Sequence, residues 1–384
     1  MNPVARTTAR EVRRLLSRKP LLFLLFGWPL FYGLFLASIY SARVVTEMPA
    51  AVCDEDNSAM SRLALRYIDA TRSLQIKYRA PGAAALRAYI LEGKAEAAVY
   101  IPRGFSADIK RGKAGTLTAF VNGANLLVAN IAISELRTVT GTIAAGARIK
   151  FLRKTGNSGA KALADYAPVK IDTFKLFNPG GNYLNYLLPG IWGTVLQQLL
   201  LAFGALLLVS EMEEGTIDEA RTVSGGNPAA LLAGKALPCF ALFFLILEVF
   251  DLVLFPAFSI PLHGNPAVLA GLNALFIYAT LGLGLFISAV SKESMDAMKG
   301  VLLVGAPALL LSGYIWPVSY MPGFVKPVAL AIPLTHYLSA LRGLTQYEAG
   351  AAAIAPQAGA LLLTGTLGLG AAWLLLMLRR PRHD

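Results

Sequence analysis

Six apolar runs constrain this 384-residue chain more than any other feature: Pro20–Tyr40, Tyr186–Val209, Ala236–Phe255, Ala267–Val290, a shorter one at Val301–Tyr314, and Ala358–Leu378. A helix needs about 20 predominantly apolar residues to cross the hydrocarbon of a bilayer. The chain is 55% hydrophobic and 15% charged, against roughly 45–50% and 25% for an ordinary soluble domain. That balance excludes a soluble enzyme, a disordered chain and a fibrous repeat. The reading is an α-helical polytopic membrane protein with six transmembrane helices. The first run follows a basic leader, as a secretory signal does, but at about 20 residues it exceeds the usual signal core of about 7–15, so it is expected to stay as a helix.

Six crossings put both termini on one side of the membrane, and the positive-inside rule says which. Lys and Arg crowd the segments 1–19, 210–235, 291–300 and 379–384, whereas 256–266 has none and 315–357 has only Lys326 and Arg342. Both termini are therefore expected to be cytoplasmic. The net charge of +12 would suggest nucleic acid in a soluble protein. Here much of it flanks apolar runs and no nucleic-acid motif accompanies it, so no nucleic-acid partner is expected.

Residues 41–185 have ordinary polarity and enough length for one compact domain. Short runs at Ala50–Cys53, Leu74–Tyr78, Ala97–Ile101 and Leu117–Val121 read as strands. Helical patterns near Ser61–Ala70, Ala83–Leu91 and Phe105–Lys110 separate them, and a longer one follows at Asn125–Arg153. An inserted α/β domain outside the membrane is predicted, returning through Val169–Phe177 and the loop Asn178-Pro179-Gly180-Gly181-Asn182. Asp54-Glu55-Asp56-Asn57-Ser58 begins like an EF-hand loop, but Ala59 stands where the glycine belongs and Leu65 where the final glutamate belongs, so a capped strand-to-helix turn is the reading. Cys53 and Cys239 fall in a hydrophilic and an apolar stretch, so no disulfide framework is expected. His263, His336 and His383 are scattered, which argues against a shared metal site.

Phosphate-cradling loops need the G-x-x-x-x-G-K-[ST] pattern. The pairs Gly93-Lys94, Gly112-Lys113 and Gly234-Lys235 are all followed by Ala, so any nucleotide hydrolysis must come from another polypeptide. Glu211, Glu213, Glu214, Gly215, Thr216, Asp218 and Glu219 form the most informative polar stretch. Thr216 with Glu219 fits a capping box, and Gly225-Gly226-Asn227-Pro228 ends one helix and starts another. Within the third run, Glu248 and Asp251 lie on one helical face, as intramembrane acids that mark a transport path or that reach the interface through Asp251. Gln197 and Gln198 in the second run join Glu248 and Asp251 as candidates for the transport path, and are expected to bond neighbouring helices more than substrate. The segment 315–357 is apolar yet broken at Pro317, Pro322, Pro327 and Pro333, which predicts short re-entrant helices. Trp316, Tyr320 and Tyr337 then read as interfacial anchors.

Several stretches in this order resemble the ABC-2 type permeases of bacterial ATP-binding-cassette exporters, in the branch with a large extracytoplasmic domain after the first helix. They are Cys53 to Ser58, Gly93 to Phe105, Glu213-Glu214-Gly215-Thr216, Leu311 to Pro322 and Ile332 to Leu344. The resemblance implies a multi-pass subunit of the cell inner membrane that works as a pair, with a second copy or a paralogue. No cofactor is expected on this chain, ATP and Mg²⁺ belonging to a separate ABC ATPase subunit. By the same resemblance residues 1–19 form a basic amphipathic helix on the inner membrane surface, touching lipid, and 210–235 carry the coupling helix. The outer domain would meet a periplasmic adaptor or gate exit. One departure is the acidic Ser210-Glu211-Met212, where the family often has an Arg. Two other classes stay open: an ion-coupled secondary transporter using Glu248 and Asp251, and a membrane-anchored receptor.

Overall fold

The computed structural model describes residues 2–17, 23, 27–39, 44–111, 113–154, 178, 182–347 and 349–378. The leader end of the first apolar run, the return segment Val169–Phe177 and the tail 379–384 lie outside the described residues. The chain divides into two compact units, one made of Met1–Arg43 with Lys175–Asp384 and the other of Val44–Phe174.

The first unit opens with α1 (Pro3–Ser17) and the apolar α2 (Trp28–Ile39). The second unit holds β1 (Met48–Asp54), α3 (Ala59–Asp69), β2 (Leu74–Arg79), α4 (Ala83–Leu91), β3 (Ala97–Ile101), α5 (Phe105–Lys110), β4 (Thr118–Val121) and α6 (Leu126–Lys154). Its sheet runs β2-β1-β3-β4, with β1 parallel to β2 and β3 and with β4 antiparallel to β3. Side chains alternate across a strand. Accordingly Val99 and Ile101 pack under α3, α5 and α6, while Ala98 and Cys53 face α4.

The acidic turn after β1 is occupied by its own backbone. Asp54 accepts from the Asp56 and Asn57 amides at 3.1 and 3.0 Å, and Ser58 caps α3 in a reciprocal bond with Ser61. Asp56 accepts from the amides of Gly104 and Ser106 at the start of α5.

The first unit continues with α7 (Tyr183–Glu213), α8 (Ile217–Val223) and α9 (Pro228–Val249), which passes into a π-helical turn at Phe250–Leu254. Then come α10 (Pro266–Val290), α11 (Ser294–Gly305), α12 (Ala308–Leu311), α13 (Lys326–Ala331), α14 (Pro333–Gln346) and α15 (Ala351–Leu378). Six helices among the described residues are long and apolar enough to cross a membrane: Leu126–Ala147, Tyr183–Glu213, Pro228–Ala257, Pro266–Val290, Ser294–Leu311 and Ala351–Leu378. Five of them fall on expected runs. Leu126–Ala147 instead belongs to the second unit, where Val128, Ala132, Leu136, Val139 and Ile143 pack on the sheet.

Helix ends differ from the hydropathy limits where polar residues find partners. α7 continues past Val209 to Glu213, and α9 starts at Pro228 under an Asn227 cap instead of at Ala236, so the polar connection 210–235 shrinks to 214–227. The fifth run begins at Ser294 and breaks beside Pro307 instead of spanning Val301–Tyr314, and the last begins at Ala351. Pro327 and Pro333 sit in the first turns of α13 and α14, where a missing N–H costs nothing.

α10 lies at the centre, packed on α7 and α15. Glycines allow these close crossings. A Cβ added at Gly204 of α7 would meet the Gly284 Cα of α10 at 3.0 Å, and one added at Gly282 would meet the Gly365 carbonyl of α15 at 2.6 Å.

Candidate functional site

The acidic stretch that ends α7 meets α1 in an ion network. Thr7, Glu11 and Leu15 recur at helical spacing and form the buried stripe of α1. That stripe lies on α9, and Gly234 makes room for it, because an added Cβ there would fall 2.4 Å from the Thr7 Cβ. Lys235 is fully buried; its ammonium donates to Glu11 at 2.8 Å and to Glu211 at 2.7 Å. Arg10 reaches the same Glu211 oxygen at 2.7 Å, and Arg14 pairs with it as well. Arg14 also holds Glu214 at 2.6 Å, and Arg10 holds Glu219 at 3.4 Å. Partial burial works against the Arg10 charge, yet its bonds to Glu211 and Glu219 keep the guanidinium above its usual value. Three helices, α1, α7 and α9, are thus tied through one carboxylate, and Arg10 adds α8 through Glu219.

The expected Thr216–Glu219 capping box does not form. A cap needs extended backbone; Thr216 sits at φ −96°, ψ 2° and its side chain makes no capping bond. Arg10 draws Glu219 away and also reaches the Thr216 carbonyl at 3.5 Å. Gly215, at φ +71°, makes the turn between α7 and α8. Glu213 points the other way: its carboxylate accepts the Ser294 amide at 2.7 Å and the Ser294 hydroxyl, so it caps the start of α11. Asp218 and Glu219 keep about two-thirds of their side-chain surface in solvent, and Asp218 pairs with Arg221 one turn along α8 at 3.1 Å.

A second polar cluster lies deep between helices. The Asn273 amide of α10 donates to Glu248 at 3.0 Å and to Asp251 at 2.8 Å, and its oxygen accepts from Tyr337 of α14 at 3.0 Å. Asp251 is 3% exposed and does not reach an interface, because the amide holds it inward from the π-helical turn. Tyr337 is likewise buried, stacked on Phe276 at 4.0 Å, so it is not an interfacial anchor. Trp316 and Tyr320 are exposed. Gln197 accepts the Leu334 amide at 2.8 Å, satisfying an orphan N–H at the start of α14. Gln198 packs beside Gly305 of α11. The four path candidates therefore divide: Glu248 and Asp251 share Asn273, whereas the glutamines face α14 and α11.

Replacing Asn273 with leucine strips both carboxyl groups of their shared donor. A buried polar group left unsatisfied costs about 1–3 kcal/mol, so N273L is expected to lower the unfolding temperature in detergent. Unchanged unfolding would deny the cluster a structural role.

Sequence reasoning missed Glu11, Lys235, Asn273 and Ser294, and gave Arg10, Arg14 and Tyr337 other roles, the arginines as part of the basic leader and the tyrosine as an interfacial anchor. Some left a signal: Glu11 is an acid among the arginines of α1, Lys235 stands at the edge of an apolar run, and Asn273 is a lone amide inside another. Among the described residues no three His, Cys, Asp or Glu side chains are grouped to hold a metal ion.

Comparison with known proteins adds a family. The sequence pattern of a family described as ABC-2 family transporter protein matches residues 19–374. The chain is 25% identical over 373 residues to the inner membrane transport permease YhhJ of Escherichia coli K12, covering 93% of this chain and 92% of that one. It is 24% identical over 338 residues to the probable multidrug ABC transporter permease YbhR of the same organism, covering 86% of each. A third relative there, the probable multidrug ABC transporter permease YbhS, is 27% identical over 177 residues. The chain spans about half the length of YbhS, the match covering 47% of that protein and 46% of this one.

Proposed function

The chain belongs to the ABC-2 transporter family, and from that premise we propose that it is the permease subunit of an exporter, coupled to a separate cytoplasmic ATPase and moving drug-like, lipid or other amphiphilic substrate outward. ATP and Mg²⁺ act on the ATPase chain. Two permeases, copies or paralogues, pair around the path in the inner membrane, with both termini cytoplasmic. The unit of Val44–Phe174 is then the extracytoplasmic α/β domain and a surface for a periplasmic adaptor, and α13 with α14 form the re-entrant segment.

The observation that carries this reading is α8. It is a short helix with an exposed acidic face, Asp218 and Glu219, whose base is fixed by Gly215, Arg10 and the buried Glu211. A small rigid projection of this kind suits docking into a cleft of a partner whose ATP-driven closure pushes on it. Glu211, Glu213 and Glu214 serve that projection from behind, as its mounting.

Substituting both Asp218→Arg and Glu219→Arg reverses the face and leaves the ion pairs of Glu211 in place, at the cost of the long, mostly exposed Arg10–Glu219 contact, worth at most about 1 kcal/mol. The pair is expected to abolish co-purification with the cognate ATPase while lowering the unfolding temperature by far less than Glu211→Gln does. Undiminished ATPase recovery with the double variant would remove α8 from the docking role. The Glu248–Asp251–Asn273 cluster favours a second reading, ion-coupled transport. That reading requires transport to follow a proton gradient, whereas the exporter requires ATP.

A further inference from the structure

A cavity of about 360 Å³ lies between the turn Ser312–Pro317, α14 and the start of α15. Among the described residues that line it, the permanently charged one is Arg342. The guanidinium sits 4.1 Å over the Tyr314 ring and 5.8 Å from that of Tyr186, and it donates to the Tyr314 carbonyl at 2.8 Å. Tyr314 is itself fixed: Tyr186 donates to its carbonyl at 3.2 Å, and its hydroxyl donates to the Tyr186 carbonyl. Gly190 leaves the room for that ring, since an added Cβ would fall 2.4 Å from it. The cation is therefore held in place by aromatic faces and one carbonyl.

What the cavity lacks identifies what it takes. Among the described residues no carboxylate forms an ion pair with Arg342, and its Nε–H is buried without an acceptor. Gln357, which also lines the cavity, has its amide oxygen buried without a donor. A half-buried guanidinium with an unmet Nε–H gains when an anion joins it, and its fork of donors matches carboxylate or phosphate oxygens. The orphan Gln357 oxygen calls for a hydroxyl or amine beside that anion. Ile315, Trp316 and Leu330 expose apolar surface near these elements, suited to an acyl or aromatic remainder.

We propose that this cavity binds an oxyanion carrying an adjacent hydrogen-bond donor, a phosphate or carboxylate beside a hydroxyl or amine, as in the head of an anionic amphiphile. Arg342 takes the oxyanion and Gln357 the donor. The proposal requires binding and not transport, so it stands or falls separately from ATPase coupling.

The test is native mass spectrometry of the full chain, delipidated and then offered dioleoyl phosphatidylglycerol, dioleoyl phosphatidylcholine or inorganic phosphate. Phosphatidylglycerol supplies both the anion and the hydroxyl. Phosphatidylcholine has the same phosphate but offsets its charge with a quaternary ammonium and lacks a hydroxyl or N–H donor, so phosphatidylglycerol is expected to be retained about tenfold better. Arg342→Gln is expected to erase the preference. Should that variant fail to fold, Arg342→Lys keeps the charge but loses the fork, and Gln357→Leu removes the acceptor; each is expected to weaken phosphatidylglycerol retention severalfold. Competition by inorganic phosphate would mark a soluble oxyanion as the ligand, and indifference to it would mark a lipid head. Equal retention of the two lipids, or wild-type retention by both Arg342→Lys and Gln357→Leu, would overturn the proposal.

Discussion

Glu211→Gln is expected to cost about 3–5 kcal/mol, the loss found when one partner of a buried ion pair is removed and its counter-charges stay behind. Three cations, Arg10, Arg14 and Lys235, converge on this carboxylate, and both it and Lys235 are shut off from solvent. Glutamine keeps the shape and deletes the charge. The fully buried Lys235 would then have only Glu11 for compensation. Thermal unfolding in detergent should show a large fall for Glu211→Gln, and limited proteolysis should show α1 released. Lys235→Met on that background is expected to restore part of the loss, because a buried ion pair replaced by apolar groups is often tolerated. An unfolding temperature equal to wild type for Glu211→Gln would mean that the network carries no load.

The second large effect is expected at the α10–α15 crossing. Gly282, Gly365 and Gly368 bring two backbones into contact: a Cβ at Gly368 would lie 2.6 Å from the Gly282 carbonyl carbon and 2.9 Å from the Leu283 nitrogen. At Gly282 and Gly368 no side chain can swing aside, since the obstacles are main-chain atoms. Gly282→Leu should therefore force the helices apart instead of overpacking one spot, with a cost beyond the usual 1–3 kcal/mol for inserted methylenes. Loss of the monodisperse peak in size-exclusion chromatography would register it. The control is Gly271→Leu on the same helix, where an added Cβ meets nothing within 4 Å. If Gly282→Leu and Gly271→Leu behaved alike, close packing at this crossing would be disproved.

Much of the architecture was legible because two periodicities leave strong marks. Ala97–Ile101 is a strand and Ala83–Leu91 and Phe105–Lys110 are helices over the very residues read from the sequence. Helix ends were harder, since hydropathy stops at a charge whether or not the charge is neutralised. Lys235 looks like a membrane boundary in the sequence, and Glu11 and Glu211, distant in the chain, take it inside. Leu126–Ala147 shows the opposite limit: the composition of a spanning helix also suits one laid against a sheet. The acidic stretch after α7 was visible as a feature, but the partners of its members were not. Glu213 and Glu214, adjacent in sequence, serve α11 and α1 respectively, a division that only the turn of the helix decides.

That division has a mechanical meaning. Glu214 and Glu211 moor the last turn of α7 to the amphipathic α1, Lys235 moors the first turns of α9, and Glu213 grips the leading edge of α11. Displacement of α8 thus has no slack to take up before it reaches three apolar helices. On the docking role proposed for α8, the junction would act as a knuckle, turning a single lateral shove into simultaneous tilts, with the charge pattern around Glu211 keeping its bones from sliding.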